Sequence, residues 1–164
     1  MKKVLLTGSN GLLGQKLIEL YLQDNTIELI ATARGENRYP VKKGYTYVSM
    51  DVSDVNNVKD TIALQQPDTI IHTAAMTNVD TCETDQEGAE KLNVDAVEYL
   101  VDAANTVEAH FIHLSTDFIF DGEDGPYTEE AEPEPLSYYG ETKLAAENMV
   151  KNQCHKWSIA RTIL

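Results

Sequence analysis

The chain has 164 residues, the length of one domain and enough to bury a hydrophobic core. Its net charge of −14 argues against nucleic acid or an anionic membrane surface as a partner, since both are bound through clustered Lys and Arg side chains. Neither a signal peptide nor an apolar stretch of about 20 residues is visible. Cys82, Cys154 and the four histidines lack metal-site spacing, so we predict a cytoplasmic protein without a metal site.

Short apolar runs and amphipathic segments alternate along the chain. Strands are predicted over residues 4–6, 27–33, 45–49, 69–72, 109–114 and 157–163. Helices are predicted over residues 11–23, 85–105 and 137–152, with another that Asp54 caps and Pro67 ends. This alternation is typical of βαβ units. We therefore predict an α/β domain over residues 1–164, a doubly wound parallel sheet (Rossmann fold) of about six strands with helices on both faces.

An acidic segment separates the last two predicted strands. Residues 121–135 carry seven Asp and Glu side chains and neither Lys nor Arg. The segment is predicted to be a loop, and two interpretations remain open, a solvated loop and a mobile lid beside the active site. His110 and His113 lie on or near the strand before it, and we interpret them as packing or surface residues.

A glycine-rich loop follows the first predicted strand. Gly8, Gly11 and Gly14 form a GxxGxxG pattern between that strand and a helix. Such glycines permit a tight turn, a close approach of backbone to a pyrophosphate, and close packing of helix on strand. Free N–H groups at the helix start then bind the phosphates without any Lys or Arg. The loop is predicted to bind a dinucleotide, and its other assigned residues are Asn10, Leu12 and Leu13.

The residues after the second predicted strand bear on the choice of dinucleotide. An acidic residue at this place would bind the adenosine ribose hydroxyls and favour NAD. The strand is instead followed by Arg34, with Arg38 as a second candidate, and a guanidinium can bind a 2′-phosphate bidentately. We therefore favour NADP(H) and keep NAD(H) as the alternative, in which Arg34 is a solvent-exposed loop charge.

A tyrosine and a lysine share one face of the predicted helix over residues 137–152. Tyr139 and Lys143 are four residues apart, in a YxxxK pattern. A free tyrosine has a pKa of about 10, and a nearby Lys charge favours the phenolate and lowers that pKa toward neutrality. Thr116 ends the preceding strand, where its hydroxyl can hydrogen-bond a substrate carbonyl oxygen. Thr116, Tyr139 and Lys143 are the predicted catalytic set.

Taken together, these motifs resemble the dTDP-4-dehydrorhamnose reductase family of extended short-chain dehydrogenases, and the whole chain resembles its N-terminal portion. The segments that carry the resemblance are residues 7–14, 74–80, 92–94, 115–122, 139–143 and 161–162, of which 115–122 is the most diagnostic. The resemblance implies that NADPH delivers hydride to C4 of a 4-keto nucleotide sugar. Tyr139 would protonate the forming alkoxide, Lys143 would lower the Tyr139 pKa and hold the nicotinamide ribose, and Thr116 would orient the carbonyl.

The same resemblance implies further contacts. Asp51 and Val52 would contact the adenine, and Thr77 and Val79 would border the sugar. Asn93 would stabilise the loop on the cofactor side. The remaining residues assigned to the cofactor are Ala74, Ala75, Met76 and Ser115, together with the catalytic Tyr139.

The resemblance leaves several alternatives. Sugar-nucleotide dehydratases place an Asp-Glu pair after the threonine, whereas Phe118 occupies the Glu position here, which argues against dehydration. Nucleotide-sugar epimerases share the catalytic set, and some relatives are cofactor-binding regulatory subunits without turnover, so both remain open. Family members continue into a smaller C-terminal substrate-binding part. We expect that part to be absent here, so that the chain binds the cofactor without activity of its own, and a homodimer stays open.

Overall fold

A computed structural model describes residues 1–163, which form one sheet flanked by helices. The strands are β1 (Lys2–Thr7), β2 (Ile27–Ala33), β3 (Thr46–Ser49), β4 (Thr69–His72), β5 (His110–Thr116) and β6 (Trp157–Thr162). The helices are α1 (Leu12–Tyr21), α2 (Val55–Gln65), α3 (Val79–Thr84), α4 (Gln86–Glu90), α5 (Ala96–Thr106) and α6 (Tyr138–Gln153). A π-helical turn (Lys91–Asp95) joins α4 to α5, and a 3₁₀ turn (Asp117–Ile119) follows β5. None of the helices within residues 1–163 is both long and apolar enough to cross a membrane.

The six strands are parallel and lie in the order β3-β2-β1-β4-β5-β6. Alternate side chains of the central strands enter two hydrophobic clusters, because successive residues of a strand point to opposite faces. Leu5 packs in one cluster with residues of α2, α5 and α6, and Leu6 packs in the other with Ile18 of α1. The predicted doubly wound sheet is confirmed, and its strand order reverses between β1 and β4, where ligands bind in such sheets.

The predicted strands and the Asp54 cap are confirmed. The Asp54 carboxylate accepts hydrogen bonds from the backbone N–H groups of Asn56 and Asn57 at 3.0 and 3.1 Å. The helix predicted over residues 85–105 is confirmed as a helical stretch that runs without a break from Gln86 to Thr106, and the Asp85 carboxylate caps it by accepting from the Gly88 N–H. The π-helical turn then inserts one wider turn before α5.

A buried ion pair joins β6 to α6. The Arg161 guanidinium donates two hydrogen bonds to the Glu147 carboxylate, at 2.9 and 2.8 Å, and Lys151 donates a third at 3.1 Å. Glu147 is fully buried, and burial raises its pKa. The hydrogen bonds from Arg161 and Lys151 outweigh that effect, so the pKa lies below its usual value. The carboxylate is therefore ionised in the folded protein.

Replacement of Arg161 by Met should destabilise the fold. The change leaves Glu147 buried with only Lys151 beside it, and breaking a buried pair on one side costs roughly 3 kcal/mol of unfolding free energy. Urea unfolding measures the loss. The control is Lys156→Met, which removes the exposed pair between Lys156 and Glu108 and should change stability little. Equal losses in the two variants would contradict a structural role for the buried pair.

Candidate active site

The glycine-rich loop holds α1 against the sheet by direct backbone contact. Gly8 has a φ of +67°, and a Cβ there would lie 2.7 Å from the Ala74 nitrogen. A Cβ at Gly14 would collide with the Gly8 carbonyl oxygen and lie 2.7 Å from the Ser9 Cα. No side chain among residues 1–163 caps the start of α1. The loop and the first N–H groups of α1 are thus a backbone cradle that fits a diphosphate.

The residues predicted to surround the adenosine ribose come together at the ends of β2 and β3. Arg34 is 81% exposed, and its guanidinium lies 3.9 Å from the Asp51 carboxylate. Burial raises the pKa of Asp51, but hydrogen bonds from Ser53 and the Arg34 charge outweigh it and hold the pKa below its usual value. Val52 is buried in the core, so its predicted contact with adenine stays a prediction.

Asn10 connects the glycine-rich loop to the segment after β2. Its amide nitrogen donates to the Glu36 carbonyl at 2.9 Å, and its amide oxygen accepts from the Arg38 N–H at 2.8 Å. Asn10 therefore fixes the backbone of the segment that carries Arg34 and Arg38. Asn10 is 26 and 28 residues away in sequence from the two residues that it bridges, so no local sequence pattern predicts this contact.

Asn93 lies in the π-helical turn and is almost completely buried. Its amide oxygen accepts from the Met76 N–H at 2.8 Å, and its amide nitrogen donates to the Met76 carbonyl at 3.1 Å. The same nitrogen lies 3.1 Å from the Thr142 hydroxyl of α6. Asn93 thus joins the segment after β4, which includes the half-buried Ala74 and Ala75, to the helix that carries Tyr139.

The first turn of α6 packs directly on the turn that follows Thr116. A Cβ at Gly140 would collide with the Phe118 carbonyl oxygen, and the Phe118 ring meets the Tyr139 ring edge-on at 5.8 Å. The Thr116 hydroxyl accepts from the Phe118 N–H at 3.2 Å. The Glu83 carboxylate of α3 accepts from the Tyr138 N–H at 2.7 Å. Sequence reasoning missed Gly140 and Glu83, because only the packing of distant segments shows their use.

Tyr139 and Lys143 are both buried, which disfavours the charged form of each and therefore shifts their pKa values in opposite directions. Burial raises the pKa of Tyr139, and a hydrogen bond with Thr116 opposes this. Burial lowers the pKa of Lys143 to about 8, against the charge of Glu147. The Lys143 ammonium donates to the Leu114 carbonyl at 2.6 Å and lies 3.4 Å from Nε2 of His113. Lowering of the Tyr139 pKa by Lys143 is not part of this geometry and stays a prediction.

A cleft of about 640 Å³ opens beside the 3₁₀ turn. Its lining is Asp117, Phe118, Phe120, Asp121, Gly122, Pro126, Tyr127, Thr128, Glu129, Leu136, Ser137, Arg161, Thr162 and Ile163. The acidic segment forms one wall, where Arg161 donates to the Glu129 carbonyl at 3.1 Å. Thr77 and Val79, predicted to border a sugar, lie outside the lining of this cleft. Within the part of the chain that the structure describes, no three His, Cys, Asp or Glu side chains are grouped as a metal site.

Comparison with known proteins gives a family for this architecture. The model of the family described as "RmlD substrate binding domain" matches residues 1–164. The dTDP-4-dehydrorhamnose reductase of Escherichia coli (strain K12) is 42% identical over 113 residues, which cover 68% of this chain and 38% of that protein. The "Methionine adenosyltransferase 2 subunit beta" of Bos taurus is 37% identical over 149 residues, which cover 91% of this chain and 42% of that protein.

A solved structure supports the same relationship. The dTDP-4-dehydrorhamnose reductase of Bacillus anthracis, determined in complex with NADP, superposes with a TM-score of 0.78 at 29% identity. The match covers 98% of this chain and 53% of that one. This chain therefore spans about half of that structure and less than half of the two curated relatives.

Replacement of Asn93 by Ala should destabilise the segment after β4 and weaken cofactor binding. The change removes the acceptor of the Met76 N–H and one donor to the Met76 carbonyl, which keeps its contact with the Cys82 thiol, and this costs about 1–3 kcal/mol of unfolding free energy. We expect lower stability and weaker NADPH binding. Urea unfolding measures the first, and a titration monitored by nucleotide fluorescence measures the second.

The matched control is Asn105→Ala. Asn105 also donates to one backbone carbonyl and accepts from one N–H, both about 2.9 Å away, but it lies at the end of α5. This variant should lose stability and keep its NADPH affinity. A similar loss of affinity in both variants would show that Asn93 acts only through overall stability.

Proposed function

The chain belongs to the RmlD substrate binding domain family, and on this premise we propose that the complete protein reduces a 4-keto nucleotide sugar with NADPH. One observation carries the proposal. The turn after Thr116 packs against the first turn of α6, the helix that carries Tyr139 and Lys143, at the same carboxyl-terminal ends of the strands as the glycine-rich loop. This arrangement supports a hydride-transfer site between a bound dinucleotide and a carbonyl compound.

The residues present fit a dinucleotide. Gly8 and Gly14 leave a cradle that a Cβ would fill, the start of α1 has N–H groups free for phosphate, and Arg34 is exposed beside Asp51. When bound, the nicotinamide supplies a hydride to the carbonyl carbon of the substrate. The chain's own residues supply the proton and the orientation.

Tyr139 is the proposed proton donor. Because its pKa is raised, its hydroxyl is protonated at neutral pH, as a donor must be. As the carbonyl carbon accepts hydride, its oxygen takes the Tyr139 proton and becomes the alcohol oxygen. The Thr116 hydroxyl orients that oxygen, and the Lys143 charge stabilises the phenolate that remains. Burial strengthens this last effect, since the charge is less screened than in water.

Replacement of Tyr139 by Phe should abolish reduction while leaving the cofactor site intact. Removal of a positioned proton donor lowers kcat by about 10² to 10⁴-fold, and NADPH affinity should stay near that of the unchanged protein. The measurement is NADPH oxidation by the complete protein with a dTDP-4-keto sugar. The control is Tyr138→Phe, since within residues 1–163 the Tyr138 hydroxyl hydrogen-bonds only to Glu90, at 3.3 Å. Equal activity in both variants would contradict the assignment.

Arg34 is the proposed determinant of cofactor choice. Loss of a charge-assisted contact with the 2′-phosphate should weaken NADPH binding to Arg34→Ala by at least about tenfold, with NADH binding unchanged. Fluorescence titration at equal salt measures both affinities. Lys156→Ala removes the same charge at the opposite edge of the sheet and should alter neither affinity. Tighter binding of NADH than NADPH by the unchanged protein would identify NAD(H) as the cofactor and would show that Arg34 does not determine the choice.

A second function is favoured by one observation, the 37% identity over 91% of the chain to the bovine methionine adenosyltransferase subunit. In this alternative the complete protein binds a dinucleotide and regulates a partner enzyme without turnover. Tyr139→Phe separates the two, because it stops reduction and leaves regulation intact. Epimerisation is distinguished more simply, since an epimerase returns its cofactor to the starting redox state and consumes no net NADPH.

A further inference from the structure

Two histidines lie side by side beneath the catalytic lysine. His72 of β4 and His113 of β5 are partners in the register of the sheet, and both are buried. Their rings are stacked, with centroids 5.7 Å apart and an angle of 23° between the planes. Phe111 stacks against both rings, at 6.0 and 6.3 Å. The imidazoles therefore have fixed positions in the core below α6.

The partners of the two rings assign their protons. An ammonium can only donate, so Nε2 of His113 accepts from Lys143 at 3.4 Å and the ring hydrogen lies on Nδ1. The Thr7 hydroxyl lies within reach of the Thr73 and Ala74 N–H groups, which leaves its own hydrogen for Nδ1 of His72 at 2.8 Å. Both imidazoles are thus assigned as neutral.

Burial agrees with this assignment. It lowers the pKa of His72 to about 3 and that of His113 well below its usual value, and the Lys143 charge acts in the same direction on both. The titratable groups that interact with the ammonium through its charge are His72 and His113 on the strands and Glu147 on its own helix. Glu147 is engaged by Arg161 and Lys151, so the acceptors that Lys143 contacts are an imidazole and the Leu114 carbonyl.

We propose that His113 is a positioning residue for Lys143, one that holds the ammonium protonated and in place for catalysis without neutralising it. A carboxylate at this position would cancel the charge, and an apolar side chain would leave one ammonium hydrogen without an acceptor. Neutral imidazole does neither. The catalytic role of this interaction rests on the proposed reductase function, but the interaction itself can be tested without turnover.

The direct test is the titration of Lys143 followed by ¹³C NMR of its Cε, with the signal assigned by its absence in Lys143→Arg. In His113→Leu, loss of one acceptor from a charged donor should lower the Lys143 pKa by about one pH unit. His113→Gln keeps a carbonyl acceptor and should titrate close to the unchanged protein. His72→Gln lies in the same stack without touching Lys143 and should leave the titration unchanged.

The same variants have a kinetic signature. Reduction requires protonated Lys143, so kcat should fall as pH rises through its pKa, and in His113→Leu this fall should move to lower pH by the same amount. A residue that is only structural would lower stability and leave the pH profile where it was. An identical Lys143 titration in His113→Leu and the unchanged protein overturns the proposal.

Two further results keep the outcomes distinct. If the leucine variant does not fold, His113→Met makes the same apolar replacement with a more adaptable side chain and has the same expected titration. If the complete protein reduces no keto sugar, the proposed function fails, while the NMR titration still decides whether His113 positions Lys143.

Discussion

Direct contact between backbone segments at glycine positions is the constraint on which the candidate site depends. At Gly8, Gly14 and Gly140 an added Cβ would collide with, or come within 2.7 Å of, the backbone of another segment. The first two contacts seat α1 and its phosphate cradle beside the segment after β4. The third seats α6 on the turn after Thr116. The segments predicted to bind the cofactor and the helix predicted to carry the catalytic residues can come this close only because no side chain separates them.

Side-chain hydrogen bonds then connect these segments across the sheet edge. Asn10 fixes the segment after β2, Asn93 joins the segment after β4 to α6, and Glu83 holds the first turn of α6. The Met76 groups that Asn93 pairs are partly buried, where an unpaired backbone group is costly, whereas the groups that Asn10 and Glu83 pair are exposed. The groups predicted to bind the cofactor and the groups predicted to do chemistry thus belong to one connected network.

Arg161 and Lys143, two cations that contact groups beneath and beside α6, have partners of different charge. Arg161 is matched by the Glu147 carboxylate, so this pair stabilises the packing of α6 on β6. Lys143 instead contacts two neutral acceptors within residues 1–163, so no hydrogen-bonded carboxylate neutralises its charge there. Burial lowers the Lys143 pKa to about 8. Most of the lysine is therefore still protonated at neutral pH, but the charge is lost over a small rise in pH. The difference separates a structural cation from the one that is proposed to be catalytic.

Local patterns in the sequence determined the strands, the parallel sheet, the glycine-rich loop and the YxxxK pair, because each follows from periodicity or spacing within a few residues. The short helix α3 and the π-helical turn between α4 and α5 were not predicted, since hydrophobic spacing alone shows neither so short a helix nor a local widening of a longer one. Only the tertiary structure revealed the use of Gly140, Glu83 and His113, whose partners are 22 to 55 residues away in sequence. Sequence fixes which chemical groups are present, whereas the packing of distant segments decides which of them meet and in what charge state.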